Sequence, residues 1–255
     1  MTSSFLMGGL GNQMFQIAAA TSLAIDNNDE AIFNFNACYT PLQGNPSNKY
    51  KDTLFKNIKK SDVLYYDYIH EEKSHKYEPI QYKKNILLKG YFQSEKYFIN
   101  NKKTIINLFN IEEKTENFLH EKYNFSNYKY VSIHIRRGDY LKFSNIHPTC
   151  SMDYYLKAMQ YFDNYKFLFV SDDIAWVKEN FKNNNYIFSE ETDEINDLIL
   201  LTLCDHNIIA NSTFSWWGAY LNKKSDKIII RPNKFFGNDG PKDENDICPE
   251  EWIKI

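Results

Sequence analysis

Val131-Ser132-Ile133-His134-Ile135-Arg136-Arg137-Gly138-Asp139 is the stretch that decides the fold class of this chain. Apolar residues alternate at Val131, Ile133 and Ile135, the period-two pattern of a strand. Two guanidiniums, a glycine and a carboxylate follow at once. A parallel α/β sheet holds its ligand beyond the carboxyl ends of its strands, so the charged turn stands where that architecture puts a ligand. Arginine suits a phosphate there because its planar fork donates paired hydrogen bonds. Taken alone, Arg136, Arg137 and Asp139 read equally well as a solvated turn with a surface ion pair.

The pattern on either side of this strand is α/β. Phe5-Leu6-Met7 reads as a short strand, Gly8 to Gly11 as a turn, Gln13 to Ile25 as an apolar helix and Ala31 to Asn34 as a second strand. The stretch from Pro41 to Tyr82 mixes Asn, Lys, Pro and a Tyr65-Tyr66-Asp67-Tyr68 cluster without period, and is expected to be an irregular insertion. Ile86 to Gly90 reads as a strand, then Glu95 to Phe109 and Glu112 to Tyr123 as helices. A polar segment, Asn124 to Lys129, sets the expected boundary between domains 1–125 and 126–255. Beyond it, Tyr130–Ile135, Phe167–Val170, Tyr186–Phe188, Asn207–Ala210 and Lys227–Ile230 read as strands. They alternate with helices at Met152–Asp163, Ile174–Phe181, Glu194–Cys204 and Phe214–Leu221. Such alternation predicts a parallel sheet with right-handed crossovers.

Bulk properties exclude several functions. The chain has 255 residues, of which 43% are hydrophobic and 16% aromatic, enough for packed cores. A formal charge of −3 gives no surplus of cations to displace counterions along a nucleic-acid backbone. No apolar run is long enough to span a membrane, and Met1-Thr2-Ser3-Ser4 lacks a signal-peptide start, so a cytosolic protein is expected. Cys38, Cys150, Cys204 and Cys248 are widely spaced and read as reduced thiols. The chain contains no Asp-x-Asp, the motif by which many nucleotide-sugar transferases hold a divalent ion, so neither metal nor other cofactor is expected.

Three sets of residues besides the arginine turn carry chemistry. Gly9, Gly11, Asn12 and Gln13 form a glycine turn opening a helix, which suits close backbone approach to a phosphate with the Asn12 amide aimed into a cleft. The third position of a dinucleotide fingerprint holds Met14, which argues against NAD; a plain tight turn is the competing reading. Asp172 and Asp173 follow a strand, and a carboxylate there could accept N1–H and the N2 amino group of guanine together; capping of the next helix by Ser171 or Asp172 is the competing reading. Asn211, Ser212, Thr213, Phe214 and Ser215 open another helix with hydroxyls and amides suited to phosphate oxygens, with Phe214 packing beneath a nucleotide. Trp216 and Trp217 read as core or wall.

These segments, with Gly90-Tyr91-Phe92-Gln93-Ser94-Glu95-Lys96-Tyr97-Phe98 and a closing Cys248-Pro249-Glu250-Glu251-Trp252-Ile253, occur in an order that resembles glycosyltransferase family 11, the α-1,2-fucosyltransferases. The resemblance runs from Gly8 almost to Ile255. It implies a GT-B-like fold of two Rossmann-like domains, with residues 1–125 on the acceptor side and GDP-fucose bound by residues 126–255. It also implies an inverting transfer of fucose from GDP-fucose to the 2-hydroxyl of a galactose-terminated oligosaccharide or glycolipid, without an obligatory metal; a related GDP-sugar transferase making another linkage and a non-catalytic GDP-sugar-binding protein are the competing readings. Animal members carry a Golgi anchor, so the resemblance favours a bacterial or viral enzyme acting at the cytosolic face of a membrane or on soluble sugars. In the wider clan the first arginine of His-x-Arg-Arg-x-Asp binds the donor's β-phosphate, and Arg136 holds that position. Arg137 either supports it or makes a structural ion pair. The resemblance assigns guanine to Asp173 and puts His134 beside base or ribose. No residue reproduces the glutamate base of the α-1,6 branch, near whose offset stands Ser144; Asp139 and His147 are the candidates by chemistry, and Asp139 also suits orienting Arg136.

Overall fold

The computed structural model describes residues 1–37, 44–109 and 111–255. The chain forms two compact units, Met1–Asn110 with Lys242–Pro249, and Ile111–Pro241 with Glu250–Ile255.

The first unit is built on a three-stranded sheet of β1 (Thr2–Ser4), β2 (Tyr68–Glu71) and β3 (Ile86–Lys89) in the order β1-β3-β2, all parallel. The first strand is Thr2–Ser4 and not the apolar Phe5–Met7. Its small side chains are buried and pair with β3, whereas Met7 lies in the connection, its backbone N–H and C=O both bonded to the Gln16 amide. Helix α1 (Leu10–Asp26) buries Met14, Phe15, Ile17 and Ala18. The expected strand at Ala31–Asn34 reduces to two isolated bridges, Thr2↔Ala31 and Phe33↔Lys60. The expected 95–109 helix breaks into two 3-10 turns and α2 (Lys102–Leu108), because Phe98 leaves the helical conformation to bury its ring against Phe15. Strand β2 lies inside the segment read as irregular; its mostly exposed side chains leave no apolar alternation to read. The Pro41 start of that segment and Cys38 fall outside the described residues.

The second unit contains helix α3 (Glu113–Lys122), β4 (Tyr130–Ile135), α4 (Met152–Met159), β5 (Lys166–Ser171), α5 (Ile174–Asn180) and β6 (Tyr186–Phe188). After these come α6 (Glu194–Leu203), β7 (His206–Ile208), α7 (Thr213–Leu221), β8 (Ile229–Arg231) and β9 (Ile253–Lys254). All six strands are parallel, in the order β6-β5-β4-β7-β8-β9. Every residue of β4 is buried, as a central strand covered on both faces requires. Val131, Ile133 and Ile135 pack with Tyr155, Ala158 and Val177 on one face. Tyr130 joins Leu168, Val170, Leu200 and Leu201 on the other. Leu119 of α3 belongs to that second cluster, so the units part after Asn110 and not near residue 125. From β4 the chain adds β5 and β6 on one side, then returns to place β7 on the other, which makes the β4/β7 gap the topological switch point of the sheet.

Helix α6 supplies a pH-dependent element. Asp193 caps it through the Ile195 N–H, and the Asp197 carboxyl in its first turn accepts the Ser189 hydroxyl at 2.5 Å. Burial, with Glu191, Asp193 and Glu194 nearby, pushes Asp197 up to about 7. A carboxyl raised on folding holds a proton the unfolded chain has lost, so stability falls as pH climbs from about 4 to about 7. Asp197→Asn keeps the acceptor oxygen without the charge. It is expected to raise apparent Tm at pH 8 by several degrees, for a gain of order 2 kcal/mol, and by much less at pH 4; thermal scans at both values check this.

Candidate functional site

The register of the second sheet assembles the charged residues. His134 is paired with Val170 and Ile135 with Ser171, so Arg136 and Asp172 leave adjacent strands side by side. Arg136 Nη2 donates to Asp139 Oδ1 at 2.6 Å and Nη1 lies 3.1 Å from Asp172 Oδ2. Its guanidinium carbon stands 5.3 Å from the Tyr140 ring centroid. Burial alone would ease the proton off Arg136; Asp172 and Asp139 outweigh it and hold the group more firmly protonated than usual. Asp172 is doubly used, its Oδ1 accepting the Arg137 backbone N–H at 2.9 Å. A Cβ on residue 138 would come within 2.5 Å of Asp172 Oδ2, which explains the glycine there. Tyr140 is buried and fixes the turn from below by donating its hydroxyl to the Asn211 carbonyl at 3.1 Å.

The two arginines have different surroundings. Arg137 Nε donates to Asp173 Oδ2 at 3.0 Å and its guanidinium carbon stacks 3.7 Å from the Trp176 ring centroid, the arrangement of a structural ion pair. Asp173 Oδ1 also caps α5 through the Trp176 N–H at 3.3 Å. Arg136 instead lies among polar atoms with unused capacity. Its own Nε, Asp139 Oδ2 and His134 Nδ1 are buried without a hydrogen-bond partner among the described residues. His134 is 3% exposed; burial, with Arg136 beside it, pushes it down to about 3, so its ring is neutral at any working pH. Phe214 of α7 lies 5.3 Å from that ring. His147 stacks on Tyr140, and burial lowers its pKa as well.

The expected cradle at 211–215 divides in two. Asn211 is buried and donates to the carbonyls of Pro148 and Phe235, while its Oδ1 accepts the Cys150 thiol. Ser215 is turned inward onto the carbonyls of Ala210 and Ser212. Ser212 caps α7 by accepting the Phe214 N–H at 3.3 Å. These three side chains hold the turn, and the partly exposed residues are Thr213 and Phe214.

The glycine turn belongs to the first unit and the arginine set to the second. Gly9 caps α1 without a side chain, and the direction of its missing Cβ is open. Gly8 has φ +76°, and a Cβ there would meet Asn12 Nδ2 at 2.5 Å. Gly11 is buried in the first turn of α1. Gln13 is also buried and ties the turn together by donating to the carbonyls of Gly8 and Asn45, both at 2.9 Å. Asn12 accepts the Gln93 amide at 2.9 Å. Gln93 stands in the quoted Gly90–Phe98 motif, yet nothing in the sequence shows its partner.

Cys150, Cys204 and Cys248 form no disulfide among the described residues. Among the described residues no three His, Cys, Asp or Glu side chains are grouped to hold a metal ion, and no helix is long and apolar enough to cross a membrane.

Residues 2–255 match the profile described as glycosyl transferase family 11. The O-antigen biosynthesis glycosyltransferase WbnK of Escherichia coli is 33% identical, aligned over 99% of this chain and 99% of its own. An α-1,2-colitosyltransferase of Escherichia coli is 32% identical over 98% of this chain and 97% of its own. The galactoside α-(1,2)-fucosyltransferase 2 of Bos taurus is 28% identical over 84% and 67%. Among solved structures, the fucosyltransferase NodZ from Bradyrhizobium superposes with a TM-score of 0.53 at 13% identity, covering 85% of this chain and 91% of its own. The fold is therefore α/β and GT-B-like.

Proposed function

This chain belongs to glycosyl transferase family 11, and on that premise we propose that it moves L-fucose from GDP-fucose to the 2-hydroxyl of a terminal galactose, with inversion. The observation that carries the reading is Arg136 at the carboxyl end of β4, beside the switch point of the second sheet, with Asp139 and Asp172 setting its pose. When the fucose C1–oxygen bond breaks, negative charge grows on the departing diphosphate. A guanidinium already oriented there lowers the barrier without reorganising. Asp139 and Asp172 each engage one terminal nitrogen of Arg136 and leave further N–H groups, the Nε–H among them, for the diphosphate. Asp139 then orients the cation, and neutral His134 faces base or ribose. The α7 turn offers its amides with Thr213 and Phe214. The reading assigns neutralisation of the diphosphate to Arg136 and these donors, with no metal or cofactor, and places the enzyme in the cytosol.

The test is incubation of the protein with GDP-fucose and a panel of β-galactosides, followed by linkage analysis of the product. A 2-linked fucosyl galactoside is expected; product at another position, or none across the panel, overturns the assignment. Transfer of colitose is the second reading, favoured by the Escherichia coli relative of that activity. Comparing turnover with the two donors on one acceptor separates them.

The guanine assignment is also testable. Asp173→Ala is expected to weaken GDP binding by about tenfold or more, the scale of a hydrogen bond to a charged group, as read by calorimetry. The variant also releases Arg137, so UDP is the control. Loss common to both nucleotides measures the disturbed arginine, and only the excess for GDP measures base reading. Equal losses would make Asp173 a partner of Arg137 and a helix cap.

A further inference from the structure

The mechanism above leaves the first sheet without a ligand, although its geometry provides for one. All three strands run the same way, and their carboxyl ends open into a cavity of about 580 Å³. That volume lies within the range of small-ligand sites, and its position is where open parallel sheets bind. Each strand contributes to the wall: Phe5 and Met7 follow β1, Glu71 and His75 come from the end of β2 and its loop, and Lys89 and Tyr91 from the end of β3.

The cavity is held open by a locked turn. Glu72 reaches under the end of β3, where one carboxylate oxygen accepts the Tyr91 N–H at 2.6 Å and the other the Phe92 N–H at 3.0 Å. Gly90 has φ +158°, and a Cβ there would lie 2.3 Å from Glu72 Cβ. Phe92 takes φ +51°, a strained value for a bulky residue, and its ring is buried edge-on against Tyr97 at 5.3 Å. Together these contacts present the partly exposed Tyr91 toward His75, the two rings 6.3 Å apart.

The lining chemistry selects the ligand class. Glu71 and Lys89 are register partners on β2 and β3, their charged ends 3.8 Å apart and largely in solvent. A paired carboxylate and ammonium carry no net charge to attract a phosphate or a cation. They do offer, side by side, an acceptor for two hydroxyl protons and a multiple donor to hydroxyl oxygens. An aromatic face beside such a pair suits the apolar side of a sugar ring.

We propose that this cavity binds the terminal sugar of a neutral oligosaccharide acceptor, with Tyr91 as its platform and Glu71 and Lys89 reading its hydroxyls. The assignment rests on the transferase reading above and gives the acceptor its own set of residues in the first unit. Glu72 is a positioning residue for that site.

The experiment uses the full-length chain and lactose as the probe. Saturation-transfer NMR should detect lactose on the wild type, with the signal lost in Tyr91→Ala and reduced in Glu71→Gln, while calorimetry gives each variant the wild-type affinity for GDP. In steady-state transfer to lactose, the acceptor KM of Glu71→Gln should rise about tenfold, the scale of a lost charged hydrogen bond. Lactose binding that both folded variants retain, no lactose signal on the wild type, or a parallel loss of GDP affinity would each overturn the proposal. A wild type that binds lactose through Tyr91 yet transfers no sugar would leave the cavity's assignment standing and defeat the transferase reading instead.

Discussion

Arg136→Ala is expected to lower turnover about a hundredfold to a thousandfold, the scale for removing one preorganised donor from a developing negative charge, with the larger figure favoured because this donor is a cation. The size follows from the surroundings. The guanidinium is largely buried, so its interaction with a diphosphate is weakly screened, and two carboxylates already fix its plane. Lysine should restore little, since one ammonium cannot serve Asp139 on one edge and Asp172 on the other while keeping the planar fork. Removing the cation also takes their charge partner from those two carboxylates, so thermal stability must be followed beside kinetics. A folded Arg136→Ala enzyme with near-normal turnover would remove Arg136 from the reaction.

Trp216→Ala should give the largest loss of stability, about 3–5 kcal/mol. The side chain is fully buried, stacked on Tyr220 at 4.5 Å and in contact with Trp217 at 5.1 Å and Trp252 at 5.4 Å. Three aromatic neighbours cannot collapse into the space of an indole, so most of the cavity would persist. Because Trp216 lies in the first turn of α7, the loss also loosens the helix end that carries Thr213 and Phe214. Urea unfolding with a Trp216→Phe control checks the magnitude; a cost below about 1 kcal/mol would mean that the site repacks.

What the sequence revealed depended on how strongly each element was buried. In the second unit, strands covered on both faces and helices with one apolar side leave periodic patterns, and Tyr130–Ile135 and Tyr186–Phe188 appear at their expected limits. The first unit was harder to read because polar residues do the work of its sheet. Thr2, Ser3 and Ser4 form a buried strand with no apolar signal, and β2 is an edge strand with exposed side chains. The site was legible as composition but not as pairing. Arg136 and Asp139 are neighbours in sequence, yet Asp172 reaches Arg136 only through the β4–β5 register. Asn12 and Gln93, and Glu72 and Tyr91, are likewise far apart in sequence and meet only in the fold. Asn211 and Ser215 were read as donors to a ligand, but a hydroxyl or amide beside unsatisfied carbonyls serves its own turn first.

The division of the chain after Asn110 is followed by two further crossings, at Pro241 and at Pro249. Residues 242–249 return to the first unit, where Asp246 accepts the Tyr77 N–H and pairs with Lys96. Residues 250–255 then go back to the second, as the strand beside β8. Neither unit is therefore a contiguous cassette. A recombination event or a chimera with one crossover point would deprive the first unit of its partner for Lys96, or the second of its edge strand. Exchange of either half with a relative of the same fold must carry three junctions at once.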